Sequence, residues 1–343
     1  MLNKIKRLFL LVKNGQFDLL AYKIKKRLGF KNLLPPLPFW LVVEPANVCN
    51  LKCPICPTGS GKLNRPPRMM SFAEFKKIID EVRGYVGKIV LFNYGEPFLN
   101  KDIFEMIRYA VDAKMRLKIS TNGDLLNSKE ICQKIIKSGL QYLIISLDGI
   151  DQETHSCYRR GSNINNVIGA INYLNEAKKE LNLKTPKIEL QFILMKHNQH
   201  QREQMKEMAA KLGVDIYSEK SLNLYRSEFE DGAKEFLPSD LSESRYYIKD
   251  DGALALKGEI INDCGPVNTS AVINSDGTVV PCCYDLYSEH IMGNVFEESL
   301  KSIWRNRKYQ AFRNLVETNK GRIPICQVCP EGREICLSKK VAV

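Results

Sequence analysis

No stretch of this 343-residue chain stays apolar for the roughly 18 residues that a membrane-crossing helix needs. The basic N-terminus has no clean apolar core and no small-residue cleavage site after it, so a secretory signal peptide is not expected. No segment repeats at a fixed period and no tract is of low complexity, which sets aside solenoids and disordered arrays. Histidine is scarce: there are four, and the first is His155. Net charge is small too outside one end, although charged residues are common. The formal net charge is +12, and +8 of it falls in residues 1–31, where nine Lys/Arg accompany the single acid Asp18. The remaining +4, spread over the body of the chain, excludes a nucleic-acid surface by charge.

The basic N-terminal piece reads as two short amphipathic helices. Leu2, Ile5, Leu8, Phe9 and Val12 share one face, Asn14-Gly15 interrupts, and Phe17, Leu20, Ile24 and Leu28 share the next. The expected arrangement is a helical hairpin packed on the main domain with its lysines in water; a weak contact of residues 1–31 with a membrane surface is the alternative. Leu33 to Pro38 forms a stiff linker. Apolar runs then occur at 41–45, 88–93, 116–121, 142–147, 187–194 and 214–219, with helical segments between them. Ser71 and Glu74 form a capping box, and Gly139 and Gly213 each end a helix before a strand. Six strand–helix units predict a parallel sheet buried on both faces, closed into an open, partial barrel. Residues 226–263 hold ten acids against five bases and few apolar positions, which suggests a bridging segment over the barrel mouth. A hairpin at 271–281 and two short helices, Ser299–Asn306 and Lys308–Thr318, form a second unit. The expected domains are 1–37, 38–225, 226–263 and 264–343.

Cysteine is abundant. The eleven present, without a secretion signal, point to a reducing cytosol and to metal ligation, because disulfide frameworks suit small secreted domains. Residues 49–56 read Cys-Asn-Leu-Lys-Cys-Pro-Ile-Cys. Three soft sulfur ligands occupy three corners of a [4Fe–4S] cube and leave the fourth iron open. An open iron can bind the amino and carboxylate groups of S-adenosylmethionine (SAM), and one electron then breaks a C–S bond to give a carbon radical. A structural zinc site asks instead for four closed ligands, commonly two C-x2-C pairs. The loop resembles the C-x3-C-x2-C signature of the radical SAM superfamily. The resemblance implies that Cys49, Cys53 and Cys56 hold the SAM-cleaving cluster.

Three strand ends extend the resemblance. Tyr94-Gly95-Glu96-Pro97 is similar to the family's GGEP motif, with Tyr94 in place of the first glycine; it implies that Gly95 and Glu96 hold the SAM amino group. Ser120-Thr121-Asn122-Gly123 and Ser146-Leu147-Asp148-Gly149 end the next two strands. In the family such segments contact SAM, which makes Ser120, Asn122, Ser146 and Asp148 candidates for its carboxylate and ribose. Each tetrapeptide alone also reads as an ordinary βα turn. Gln191 faces either core or cofactor. Arg159, Arg160 and Gly161 resemble a family Tyr-x-Arg-x-Gly stretch, where an arginine could bind an anionic or hydroxyl-rich substrate.

Cys264, Cys282, Cys326 and Cys329 follow the spacing C-x17-C-x43-C-x2-C. With Gly277 before Cys282, and Gly293-Asn294 and Trp304 after it, this resembles the SPASM/twitch extension of radical SAM enzymes. The extension implies an auxiliary [4Fe–4S] cluster that relays electrons; zinc is the alternative for the same four residues. Cys157, Cys283 and Cys336 are spare thiols that could donate a hydrogen atom to a substrate radical, although each also reads as a small buried hydrophobe, as does Cys132. The resemblance implies an α/β fold: a partial (β/α)6 TIM-like barrel with a small C-terminal α+β iron–sulfur domain. It implies a radical SAM oxidoreductase that makes a 5′-deoxyadenosyl radical and abstracts hydrogen from a small molecule, for instance a carbohydrate or an aminocyclitol. The electron donor would be a reduced ferredoxin or flavodoxin, and the compartment the cytoplasm. Two other readings stay open: a SPASM maturase acting on peptides, and a non-catalytic iron–sulfur electron carrier. The short helical piece before the first strand weighs against the maturase.

Overall fold

The computed structural model describes residues 17–28, 35–333, 335 and 338–343. Helix α1 (Phe17–Arg27) precedes strand β1 (Trp40–Val43). Then come α2 (Phe72–Val82), β2 (Lys88–Val90), α3 (Ile103–Asp112), β3 (Arg116–Thr121), α4 (Lys129–Lys137) and β4 (Tyr142–Ser146). The alternation continues through α5 (Gln152–Tyr158), α6 (Ile164–Glu180), β5 (Lys187–Leu194), α7 (Arg202–Lys211) and β6 (Ile216–Ser221). Strands β1 to β6 pair in chain order and all run parallel, as a partial (β/α)6 barrel requires. The local signals behave as read. Ser71 caps α2 by accepting from the Glu74 amide while the Glu74 carboxylate accepts from the Ser71 amide, a reciprocal capping box.

Residues beyond the barrel are α8 (Glu230–Lys234), the hairpin β7 (Tyr246–Ile248) and β8 (Leu254–Leu256), then β9 (Ser270–Ile273), β10 (Thr278–Val280) and β11 (Gly293–Asn294). Helices α9 (Leu300–Arg305), α10 (Arg307–Asn319) and α11 (Pro324–Gln327) follow, and β12 (Ser338–Ala342) ends the chain. The hairpin does not stand apart. Strand β9 lies parallel to β1, β10 and β11 extend that edge, and β12 pairs antiparallel with β6 at the other, so one sheet has ten strands.

Period-2 alternation gives each strand two faces. On one, Leu41, Ile89, Leu117, Ile119, Leu143, Ile145, Ile188 and Leu190 meet the buried stripes of the helices, such as Phe75, Ile78, Ile79 and Val82 of α2. The same core continues to Ala271, Ile273, Val279, Trp304 and Tyr309, so barrel and C-terminal helices share it. The other face is largely buried too, as expected, but more by polar than by apolar side chains: Ser146, Glu189, Ser218 and Ser270 are buried on it. Only Trp40, Val42, Val90, Val272 and Val280 form an apolar cluster there. Further along it carries Lys88, Lys118, Ser120, Tyr142, Ser146, Glu189 and Gln191. Curling turns this face into the barrel's interior, where no second layer of helices covers it among the described residues.

The acidic segment lies where a cover over the barrel mouth is expected, but it packs through more apolar residues than its composition suggests. Phe229, Ala233, Phe236, Leu237, Tyr246 and Leu256 are buried in a cluster with Leu51, Cys53, Ile55 and Tyr158, so residues 229–256 pack over the cysteine loop. The first predicted helix, residues 2–12, lies outside the described residues. Of the predicted apolar face, Phe17 and Ile24 of α1 and Leu28 just after it are exposed and Leu20 is half-buried, whereas Tyr22 is buried and within Coulombic reach of Arg313 on α10. Spacing alone identifies a stripe but not whether a partner surface exists for it. No helix among the described residues is long and apolar enough to cross a membrane.

One buried carboxylate ties the barrel to the hairpin. Glu44, just past β1, accepts from Arg65 Nη1 at 2.8 Å and Nη2 at 2.7 Å. It also accepts from the Tyr94 amide at 3.3 Å and the Ser275 amide at 3.1 Å. Both side chains of the ion pair are buried. Replacing Glu44 by Ala leaves a buried guanidinium without its anion, and the expected loss is about 3–5 kcal/mol in urea unfolding of the anaerobic protein. Lys129→Ala, which removes the exposed pair with Glu180, is expected to change stability by less than about 1 kcal/mol.

Candidate active site

Cys49, Cys53 and Cys56 lie in the loop that leaves the C-terminal end of β1. The loop is wound tightly: the Cys56 amide donates to the Cys53 carbonyl at 3.3 Å, and the Ser60 amide to the Cys56 carbonyl at 2.9 Å. A Cβ at position 59 would lie 2.6 Å from the Cys53 nitrogen, so only glycine lets the returning chain pass over that peptide. The Leu51 amide donates to Cys49 Sγ at 3.4 Å, the kind of bond that tunes a cluster sulfur. Burial pushes the Cys49 thiol up to about 11 and the Cys53 thiol up to about 12. Left to the protein alone these sulfurs are protonated; a bound metal holds such ligands as thiolates. Among the described residues no three His, Cys, Asp or Glu side chains converge on one point as the ligands of a single ion would. The three thiols lie within Coulombic reach of one another, and this soft donor set suits the separate corners of a cube.

The turn after β2 packs directly on the loop. Gly95 has φ +98°, and a Cβ there would lie 2.4 Å from the Ala46 carbonyl oxygen and 2.7 Å from that of Val48. The Glu96 amide donates to the Val48 carbonyl at 2.8 Å. The Glu96 carboxylate is buried and accepts from Thr121 Oγ1 at 2.8 Å, the Asn122 amide at 2.9 Å and the Phe98 amide at 3.1 Å. Burial outweighs these bonds and lifts its pKa to about 7. Asn122, so held, donates through Nδ2 to Asn50 Oδ1 at 2.9 Å and reaches Cys49 Sγ at 3.8 Å. Asn50 in turn donates to Asp124 Oδ2 at 3.1 Å. The cysteine loop, the Gly95–Glu96 turn and the end of β3 therefore form one network.

Ser120 and Ser146 lie on the interior face, and Ser146 stands in register with Gln191 on β5. Asp148 is fully buried. Its Oδ2 accepts from Arg159 Nε at 2.6 Å and its Oδ1 from the Ile193 amide at 2.7 Å, so both oxygens already have protein donors. The Asp148 amide donates to His155 Nδ1 at 3.2 Å, and burial pushes this histidine down to about 4, which keeps it neutral. Arg159 stacks on the Tyr158 ring and lowers the pKa of Cys53. Arg160 is exposed, and its carbonyl accepts from the Lys52 amide at 2.9 Å. Asn50, Asp124 and His155 were not marked by the sequence, and Thr121, part of the quoted Ser120–Gly123 motif, is spent on Glu96. Asn50 sits between two singled-out cysteines, the one signal available for it.

The second cysteine set gathers around the end of the hairpin and α11. Cys282 lies within Coulombic reach of Cys264 and Cys329, and Cys326 within reach of Cys264. Burial pushes all four thiols up. The Glu331 amide donates to Cys329 Sγ at 3.4 Å. Buried Lys320 donates to the Asp263 carbonyl at 3.0 Å and to the Glu331 carbonyl, and its charge favours the thiolates of Cys264, Cys326 and Cys329. Of the spare thiols, Cys157 and Cys283 are exposed, Cys132 is buried in the core, and Cys336 lies outside the described residues. A cleft of about 710 Å³ between Lys62–Pro66, Glu228 and Tyr287 contains none of the predicted site residues.

Because the Glu96 pKa is raised from 4.5 to about 7, the folded chain holds this proton more tightly than the unfolded one. The resulting stability is complete below about pH 4.5 and is lost as pH rises through about 7. Melting curves of the SAM-free protein are expected to show this decline, and Glu96→Gln is expected to flatten it.

A model of the radical SAM superfamily matches residues 43–212, and a model of an iron–sulfur cluster-binding domain, SPASM, matches residues 264–330. Among curated relatives, the AdoMet-dependent heme synthase of Methanosarcina barkeri is 26% identical over 84% of this chain and 87% of its own. The mycofactocin maturase MftC of Mycolicibacterium smegmatis is 26% identical over 82% of this chain and 73% of its own. Among solved structures, BtrN in complex with AdoMet and 2-DOIA superposes with a TM-score of 0.56 at 22% identity, covering 86% of this chain and 94% of that one. Streptococcus suis SuiB bound to S-adenosylmethionine gives 0.61 at 18% identity, covering 94% and 77%. These structures establish the likeness of fold. The two domains carry a SAM-binding [4Fe–4S] cluster and auxiliary iron–sulfur ligation, and the chain belongs to the radical SAM superfamily, among its SPASM-bearing enzymes.

Proposed function

We propose that the chain is a radical SAM oxidoreductase of the dehydrogenase or epimerase kind acting on a small molecule. In this reading Cys49, Cys53 and Cys56 hold the SAM-binding cluster, which supplies the electron that cleaves SAM reductively to a 5′-deoxyadenosyl radical. Gly95 lets this turn press its backbone against the cysteine loop, next to where the SAM methionyl group would sit, and Glu96 accepts from its ammonium. Asn122, oriented by Glu96, and Ser120 and Ser146 on the interior face supply polar contacts to the rest of SAM. Asp148 acts through Arg159, whose cation it fixes beside the cluster loop. Cys264, Cys282, Cys326 and Cys329 hold an auxiliary [4Fe–4S] cluster that passes electrons from the substrate side, with a reduced ferredoxin or flavodoxin as external donor.

The observation that carries this reading is the hydrogen-bonded run from Glu96 through Asn122 to Asn50 and Cys49. It connects the ends of β2 and β3 to the loop after β1 that offers three thiols. A second reading, modification of a peptide, is favoured by the likeness to the mycofactocin maturase along most of the chain. A purely electron-relaying protein is the third.

Anaerobic reconstitution, reduction and addition of SAM test the proposal. The expected result is 5′-deoxyadenosine from the wild type, with about eight iron per chain as two cubes require, and none from the triple variant Cys49→Ala/Cys53→Ala/Cys56→Ala. Cys326→Ala/Cys329→Ala is expected to bind about four iron, since only one cube then keeps its ligands. Full clusters without SAM cleavage would favour the electron-relay reading.

A further inference from the structure

The interior face of the sheet is unevenly charged. Lys88 on β2, Lys118 on β3, Lys220 on β6 and Lys340 on β12 all project from the face opposite the helices, because Ile89, Leu117, Ile119 and Tyr217 beside them face the core. Lys340 stands in register with Ser218 on the same face. Glu189 is the carboxylate they share. Its Oε2 accepts from Lys340 Nζ at 2.6 Å and from the Tyr142 hydroxyl, and the Ser218 hydroxyl on β6 lies close enough to favour its charge. Lys118 Nζ lies 4.7 Å from the Tyr142 ring centre and Lys88 Nζ 5.7 Å from that of Trp40. Among the described residues Lys88, Lys118 and Lys220 make no ion pair, and Lys340 makes one.

Lys118 and Lys220 are half-buried, while Lys88 and Lys340 at the rim of the same face are exposed; half-burying ammonium groups with further cations nearby costs free energy through lost hydration and mutual repulsion. Burial, followed by the neighbouring lysines, pushes Lys118 down to about 8. Burial also lowers Lys88 and Lys220. An anionic ligand would remove both penalties. The position matters as well. Lys118 precedes Ser120 by two residues on β3, which places it roughly 7 Å deeper in the barrel at the usual rise per strand residue. A molecule anchored at the lysines would therefore extend toward the strand ends that carry Ser120, Ser146 and the cysteine loop.

We propose that this face is the substrate chamber, and that it takes a small molecule with at least two anionic groups, carboxylate or phosphate, held by Lys88, Lys118 and Lys220. The proposal rests on the radical SAM reading and narrows its substrate. A neutral sugar leaves the lysines uncompensated, and an aminocyclitol adds cations to them.

The test is calorimetric titration of the reconstituted, SAM-loaded full chain with tricarballylate, with inorganic pyrophosphate and with neutral myo-inositol. One anionic probe is expected to bind and inositol not to. Lys88→Met/Lys118→Met is expected to weaken that binding by about tenfold or more, as loss of two charge-assisted contacts implies. Lys118→Arg, which keeps the charge, and Lys134→Met on outer helix α4 are expected to retain it, which separates charge loss from misfolding. The bound probe is also expected to protect Lys118 from acetylation, read by mass spectrometry. Preference for tricarballylate assigns carboxylates, and preference for pyrophosphate assigns phosphates. Binding of neither anion, or equal binding by the double variant, overturns the proposal. Wild-type SAM cleavage is measured alongside: cleavage without anion binding sinks only the chamber, and anion binding without cleavage sinks only the radical chemistry.

Discussion

A single buried carboxylate, that of Glu44, holds together parts of the chain that share no secondary structure. Its two oxygens take four donors: both terminal nitrogens of Arg65, the Tyr94 amide and the Ser275 amide. These donors come from the far arm of the cysteine loop, the turn after β2 and the turn of the C-terminal hairpin. Arg65 also donates to the Leu286 carbonyl at 3.1 Å, and Arg68 to the Ser275 carbonyl at 2.8 Å. A buried ion pair contributes little net stability when compared with well-packed apolar residues, but it fixes geometry because no other arrangement satisfies its charges. The registration of β9 on β1 and the placement of the cysteine loop above the sheet both depend on that constraint.

The cysteine loop has no regular structure of its own, and its shape is imposed from three sides. Gly59 lets it fold back over Cys53, and Gly95 lets the neighbouring turn press against it. The cluster of Phe229, Phe236, Tyr246 and Leu256 closes over Leu51, Cys53 and Ile55. Dry surroundings disfavour free thiolates, and metal ligation of the proposed kind would ionise these sulfurs. The same apolar cover restricts water and oxidants around a cluster with an open iron. Near the second cysteine set, Lys320 adds a buried positive charge within reach of Cys264, Cys326 and Cys329, one of the means by which a protein would adjust the potential of a cluster held there.

The two faces of the sheet divide the labour. One joins the barrel helices and α9 and α10 in a single core, so the C-terminal unit is held by packing as well as by Glu44. The other is polar and mostly cationic away from its small valine cluster. Lysine at alternate strand positions is legible in the sequence at Lys88 and in the run Arg-Leu-Lys-Ile-Ser-Thr of β3. By itself, though, alternation reads equally as a solvated edge. Only the curl of the sheet brings Lys118, Lys220 and Lys340 around the one carboxylate of Glu189.

Local signals with a short physical range were legible in the chain. These are the strand runs, the capping box at Ser71, the glycines that end helices, and the spacing of the cysteines, because each rests on neighbours a few residues apart. Pairings between distant residues were not. Nothing near Glu44 marks Ser275 as its partner, and nothing near Asp148 announces that Arg159 and the Ile193 amide occupy its oxygens. Likewise Phe17, Ile24 and Leu28 form a stripe by spacing, yet Tyr22 is the buried residue of α1. The sequence by itself determined the strand–helix alternation, the donor set and the class of chemistry, since these are properties of residue type and spacing. Tertiary structure decided which polar groups meet, which face of each element is covered and where the cations gather, because those depend on closure of the sheet and on burial, which raises the cost of any charge left without a partner.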